Sequence, residues 1–184
     1  TFAYTYLTEM GAKVVAIADK SGAVYVENGF DAEQTKKLID SRGLIEGYVG
    51  GTKISAEDFW KLPVDVLIPA SVTDVINDSN KDGVRAKIIV EAGNIPMREH
   101  IEEELVKRGV LIVPDFVANA GGVISSYAEY RGFTPKKMFA LVERKIVKAT
   151  KMVVAASLKT GRNPRTVALE IAMEKVRTGK KKRS

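Results

Sequence analysis

The chain has 184 residues, a net charge of +6, 45% hydrophobic and 28% charged side chains. That is the composition of a soluble globular chain, long enough for one domain with a core plus a helical extension. It has no cysteine, which excludes disulfides, thiol nucleophiles and thiolate metal sites and fits a reducing cytoplasm. Apolar runs such as Met152–Ser157 are too short to span a bilayer, and the start Thr1-Phe-Ala-Tyr lacks the basic lead-in and apolar region of a signal peptide. The expectation is a cytoplasmic protein without a membrane partner.

Residues 2–10 read as the end of a helix carrying Phe2, Tyr6, Leu7 and Met10, with Gly11 as its stop. Lys13–Ala18 is a near-continuous apolar strand, the pattern of a parallel sheet covered on both faces. Asp31-Ala-Glu-Gln34 has the form of a capping box for a helix running to about Arg42, ended by Gly43. Gly50-Gly51 marks a turn, and Ser55 caps a short helix with Phe59 and Trp60. Further strands are expected at Asp65–Pro69, Lys87–Glu91 and Val110–Val113. Between the last two, Met97–Arg108 is an amphipathic helix with Ile101, Leu105 and Val106 on one face. Strands alternating with helices imply βαβ units and an α/β fold.

After Asn119 the pattern becomes helical throughout. Helices are expected at about 120–131, 135–160 and 164–178, the second opened by Thr134-Pro135 and broken from the third by Gly161-Arg-Asn-Pro164. The basic run Lys180–Arg183 carries four of the positive charges, which leaves +2 for residues 1–179. Such a run can meet nucleic acid or a membrane surface. With no aromatics interleaved, it offers no stacking platform, and a solvated terminus accounts for it.

The most informative stretch is Leu111-Ile-Val-Pro-Asp115-Phe-Val-Ala-Asn119-Ala-Gly-Gly-Val123-Ile-Ser-Ser126-Tyr. A short strand ends at Pro114, a polar turn carries Asn119, and a Gly-Gly pair opens a helix. The glycines let a ligand approach the backbone, and Asn119 both donates and accepts hydrogen bonds. This run resembles the nicotinamide-side signature of glutamate dehydrogenases, in the glutamate/leucine/phenylalanine/valine dehydrogenase family. Val14–Asp19, Val64-Asp-Val-Leu-Ile-Pro69-Ala-Ser71 and Lys87-Ile-Ile-Val-Glu91-Ala-Gly-Asn94 stand in the family's order and approximate spacing, so the resemblance covers nearly the whole chain. One departure stands out: the family usually reads Glu-Gly-Ala-Asn-Gly-Pro or similar where this chain reads Glu91-Ala-Gly-Asn-Ile-Pro96.

The resemblance implies a Rossmann-like, doubly wound parallel sheet followed by C-terminal helices: a partial NAD(P)-binding domain over 1–133, a helical extension over 134–179 and a basic tail over 180–184. In a dinucleotide-binding βαβ unit the acid at the second strand's end lies about 20 residues after the glycine-rich turn. With Asp19 as that acid, the turn and the first strand fall before Thr1, as expected of a fragment.

The resemblance also assigns roles. Asp19 is placed to accept from the adenosine ribose hydroxyls, with Lys20 beside it to offset the charge. A carboxylate there favours NAD over NADP, but the family uses both with similar sequences. Ala70 and Ser71 are expected near the phosphates and ribose, Asn94 and Asn119 on the nicotinamide half, and Ser126 on the side-chain carboxylate of a glutamate substrate. Each has a plain structural alternative. Asp19 can be a loop carboxylate or cap, Ala70-Ser71 a strand-to-helix turn, either asparagine a turn former, and Ser126 a helix serine bonded back one turn.

No catalytic acid or base is assigned, because in the family these come from a separate substrate domain that no residue here matches. His100, the one histidine, sits among charged helix residues and reads as solvated; with no cysteine, no zinc centre of the usual kind is expected. The expected function is the cofactor-binding half of an NAD(P)-dependent amino-acid dehydrogenase, glutamate foremost. The intact enzyme would convert an amino acid to its 2-oxo acid and ammonia, as a homo-oligomer, usually a hexamer; this chain alone is expected to be inactive. The rival reading is a non-catalytic Rossmann remnant serving as an interaction or nucleic-acid-binding module.

Overall fold

A computed structural model describes residues 2–181, and the side chains among them through Thr178. The element order is α1 (Phe2–Glu9), β1 (Ala16–Asp19), β2 (Gly22–Tyr25), α2 (Ala32–Asp40), β3 (Thr52–Ile54), α3 (Ala56–Trp60), β4 (Val66–Leu67), β5 (Ile88–Val90), α4 (Glu99–Lys107), β6 (Leu111–Val113), α5 (Asp115–Ala118), α6 (Gly121–Tyr130), α7 (Pro135–Thr160) and α8 (Pro164–Lys181). The chain divides into two compact units, one of residues 1–62 with 83–85, the other of 63–82 with 86–184. The two long helices thus belong with the parallel strands in the second unit rather than forming an extension of their own.

The first unit is built on an antiparallel sheet of order β1-β2-β3. The apolar segment 13–18 therefore does not enter a parallel sheet. Its strand begins at Ala16, and the register Asp19↔Gly22 closes a two-residue hairpin over Lys20-Ser21. The local reason is Asp19, whose side chain ties up the turn. Val24, Phe30, Ile45 and Tyr48 form the core here, with Phe30 and Tyr48 tilted at 60° and 4.6 Å between ring centroids.

The capping motif at the start of α2 works one way only. Asp31 accepts from the Gln34 N–H at 2.7 Å, but Gln34 turns to the Val49 N–H, and the Asp31 N–H donates to the Tyr48 hydroxyl.

The second unit carries the parallel sheet, order β4-β5-β6. Helix α4 is the crossover from β5 to β6, and α4, α7 and α8 all pack on β6. Ile89, Ile101, Leu105 and Ile112 are fully buried, while Val113, Val117, Val153 and Ala168 form a second cluster with the helices. This layered α/β arrangement puts the carboxyl ends of three parallel strands side by side, the edge at which open sheets of this type bind ligands. Helix α7 spans the expected 135–160. Thr134 caps its start, and Gly161, at φ +68°, ends it in the left-handed conformation that glycine adopts without steric cost. The basic tail falls partly in α8, and Lys182, Arg183 and Ser184 lie outside the described residues.

Candidate functional site

The turns that leave β4, β5 and β6 are laced together. After β4, the Pro69 carbonyl accepts the Gly93 N–H at 2.8 Å. The two turns are in van der Waals contact: a Cβ at Gly93 would lie 3.4 Å from the Pro69 oxygen and 3.6 Å from the Ser71 nitrogen. After β6, the Asn119 side-chain amide donates to the Gly93 carbonyl at 3.2 Å, and the Asn119 N–H donates to the Asp115 carbonyl at 2.7 Å. Ala70, Ser71, Asn94 and Asn119, read from the sequence as neighbours in one crevice, therefore line adjoining turns at one edge of the sheet.

Ala70, Ser71 and Asn94 are exposed and Asn119 is half-buried. In the first turn of α6 a Cβ at Gly122 would meet nothing within 4 Å, whereas one at Gly121 would lie 3.3 Å from Val142, so the open space is at Gly122. Small, neutral, hydrogen-bonding residues around open backbone are a donor and acceptor set for a ribose and a carboxamide.

Ser126 lies one turn further along α6, exposed, and its hydroxyl donates to the Gly122 carbonyl at 3.1 Å. This is the back-bonded helix serine, with the oxygen still able to accept. Asp19 and Lys20 belong to the first unit, both exposed. Asp19 Oδ1 accepts from the Ser21 N–H at 2.7 Å and the Ser21 hydroxyl at 2.5 Å, and Oδ2 accepts from the Ile45 N–H at 2.8 Å. Burial opposes ionisation of this carboxyl. The hydrogen bonds from Ser21 and Ile45, with Lys20 alongside, outweigh it and hold Asp19 below the ordinary aspartate range. His100 is exposed, its Nε2 3.5 Å from Asp78. Among the described residues no group of three or more His, Asp or Glu side chains is placed to hold a metal ion, and no helix is long and apolar enough to cross a membrane.

Beneath the strand-end turns lies a charged cluster that the sequence reading did not assign. Arg165, in the first turn of α8, donates to Glu102 through Nε, to Asp115 through one terminal nitrogen at 3.1 Å and to Glu91 through the other at 2.7 Å. Glu91 and Glu102 are 0% exposed, and one guanidinium faces three carboxyls. Burial raises the Glu91 pKa first and the charge of Glu102 adds to it; against the pull of Arg165 it is pushed up to about 7. Burial raises Glu102 as well. One oxygen of each glutamate has no partner among the described residues. A signal was present in the sequence: Glu91 and Asp115 end apolar strands, where a buried acid needs a cation. Arg165, 50 residues beyond Asp115, could not be picked out as that cation.

Asp115 links this cluster to the turns. Its Oδ2 accepts the Ile95 N–H at 3.0 Å, its Oδ1 the Phe116 N–H at 2.8 Å, and its own N–H donates to Glu91. Ile95 has φ +48°, a left-handed conformation that a β-branched residue adopts only under constraint. This is the position where the family pattern has glycine.

The Glutamate/Leucine/Phenylalanine/Valine dehydrogenase family pattern matches residues 1–184. The chain is similar to a glutamate dehydrogenase of Aeropyrum pernix, 41% identical over 95% of this chain and 44% of that protein. It is also similar to an NADP-specific glutamate dehydrogenase of Saccharolobus shibatae, 38% identical over 71% of this chain and 31% of that protein. In three dimensions it resembles the hetero-hexameric glutamate dehydrogenase of Thermus thermophilus, solved in a Leu-bound form, with a TM-score of 0.78 over 98% of this chain and 44% of that one; at 24% identity this likeness speaks to the fold. The chain spans less than half the length of each of these proteins.

Proposed function

The chain belongs to the glutamate/leucine/phenylalanine/valine dehydrogenase family, and from that premise we propose that it is the nicotinamide-dinucleotide-binding part of an amino-acid dehydrogenase acting foremost on glutamate. The carrying observation is the pair of bonds at Gly93, whose carbonyl accepts from the Asn119 side chain and whose N–H donates to the Pro69 carbonyl, gathering the β4, β5 and β6 turns into one edge. With its Nδ2 engaged by Gly93, Asn119 offers its Oδ1 as an acceptor for a carboxamide N–H. Asn94 and Ser71, exposed on the adjoining turns, supply donors and acceptors for ribose. In this reading the dinucleotide supplies hydride acceptance when bound, and these residues orient its nicotinamide half toward the substrate. Ser126 is the proposed contact to the substrate's side-chain carboxylate, its hydroxyl turning from the Gly122 carbonyl to donate to it.

NAD and NADP are both compatible with the reading. The family resemblance gives Asp19 a part in this choice, a carboxylate there disfavouring a 2′-phosphate, whereas one relative is named as NADP-specific. The acid and base for the amino group are proposed to come from parts of the relatives that this chain does not span, and the whole protein is proposed to be oligomeric, as the Thermus thermophilus relative is. The matches to dehydrogenases give no support to a non-catalytic interaction module.

The test is a titration of the chain with NADH and NADPH followed by backbone NMR. The expected result is saturable shifts at Ser71, Asn94, Asn119 and Gly122. Shifts confined to other surfaces, or none at millimolar dinucleotide, overturn the reading.

A further inference from the structure

We propose that Arg165 is a positioning residue for the dinucleotide edge, acting through Asp115 to hold the Gly93–Ile95 turn in its working shape; this rests on the cofactor-binding reading above. The geometry is a chain of direct bonds. The Arg165 guanidinium binds Asp115 at 3.1 Å and Glu91 at 2.7 Å. Asp115 then touches both sides of the edge. Its carboxylate takes the Ile95 N–H at 3.0 Å, and its carbonyl takes the Asn119 N–H at 2.7 Å. Neither Asn94 nor Asn119 is bonded to Arg165, yet Asn119 is bonded to Asp115 and Asn94 precedes Ile95, which is bonded to Asp115.

The Ile95 turn is where this orientation matters most. A left-handed isoleucine relaxes toward extended or right-handed backbone unless its surroundings over-determine it. Here the constraints are the Ile95 N–H to Asp115 and the Asp74 N–H to the Ile95 carbonyl at 3.0 Å. Asp115 can serve only if its carboxylate stays fixed, and the planar fork of Arg165 fixes it together with the Phe116 N–H. The Phe116 ring lies against the guanidinium, 5.5 Å from ring centroid to Cζ, and closes that side. The first turn of α8 thereby sets the turn after β5, 70 residues earlier in the chain.

The experiment compares the unaltered chain with Arg165→Lys and Asp115→Asn. Arg165→Lys keeps a cation but loses the fork; Asp115→Asn keeps the shape but weakens the acceptor. Amide exchange is read at Ile95 and, as an internal control, at Ile89 and Ile112 in the strands. NADH affinity is read in parallel. The expected result is faster exchange at Ile95, by about tenfold, with the strand amides within about twofold, and NADH binding weakened by about tenfold. Unchanged exchange at Ile95, or equal acceleration at Ile89 and Ile112, overturns the proposal, since either makes Arg165 a general support of the fold. Loss of fold in both variants has the same meaning. If the unaltered chain binds no NADH, the cofactor reading fails by itself, and the exchange pattern still decides whether Arg165 shapes the turn.

Discussion

The carboxylate of Glu91, the residue after β5, accepts the backbone N–H of Asp115, the first residue of α5 just beyond β6, at 2.8 Å. Two neighbouring strand ends are thus joined by a buried acid, and Arg165 binds the same oxygen of Glu91. The other oxygen is unpartnered among the described residues. Burial of this carboxyl is the main reason its pKa is pushed up to about 7.

A pH dependence of stability follows. The Glu91 pKa is about 7 in the folded chain against 4.5 as its ordinary value, so the folded state holds the proton more tightly than the unfolded one. The associated stability is present below pH 4.5 and is lost as pH rises toward 7, by about 3 kcal/mol at most. Glu102 shifts in the same direction. Glu91→Gln is expected to reduce this slope and to make the chain more stable than the unaltered form at pH 8. Urea unfolding at pH 5 and pH 8 checks it, and an unchanged slope in Glu91→Gln rules the idea out.

Ile95→Gly is expected to be free of cost. The φ of +48° strains isoleucine by roughly 1–3 kcal/mol, which offsets both the lost side-chain contacts and the added freedom of glycine in the unfolded chain. Thermal unfolding of the variant should match or exceed that of the unaltered chain by up to about 1 kcal/mol. A loss above that size would show that the turn is not strained.

Asp19→Ala is expected to destabilise the first unit by about 1–2 kcal/mol, because three donors (two N–H groups and the Ser21 hydroxyl) lose their acceptor at once. Amide exchange across β1 and β2 reads it directly. An undisturbed hairpin would free Asp19 for a role in dinucleotide recognition alone.

In a protein that includes the remainder of the relatives' length, Asn119→Ala is expected to lower turnover about tenfold or more while costing about 1 kcal/mol of stability, the worth of one hydrogen bond. Steady-state kinetics alongside denaturation separates the two, and wild-type turnover would return Asn119 to a turn-forming role.

Ser126→Ala in the same protein is expected to impair glutamate more than norvaline, which lacks the side-chain carboxylate. Equal loss on both substrates would leave Ser126 as the helix serine bonded to Gly122.

The helices other than α5, which was read as a polar turn, were legible because their signals are local. Thr134-Pro135 and Gly161 bracket α7, and Asp31 and Ser55 cap α2 and α3 through bonds spanning three residues. The three parallel strands were legible as apolar runs. What misled was the segment before Asp19: an apolar strand reads alike in a parallel sheet or an antiparallel hairpin, and the pairing with Gly22–Tyr25 turns on how one carboxylate folds over Lys20-Ser21. The family resemblance pointed to Asn119 and its neighbours as a group, but it could not show that Asn119 holds its neighbour turn by bonding to Gly93.

Taken alone, the amino-acid order determined where the longer helices start and stop, the three strands of the parallel sheet, and which dehydrogenase family the chain resembles, since propensity, caps and motifs act over a few residues. Only the tertiary structure decided the bond from the Ile45 N–H to Asp19, the bond from Asn119 to Gly93 and the bonds of Arg165 to Glu91, Glu102 and Asp115. Those contacts join residues 26 to 74 positions apart, and such distances close only when burial of the core has brought the elements together.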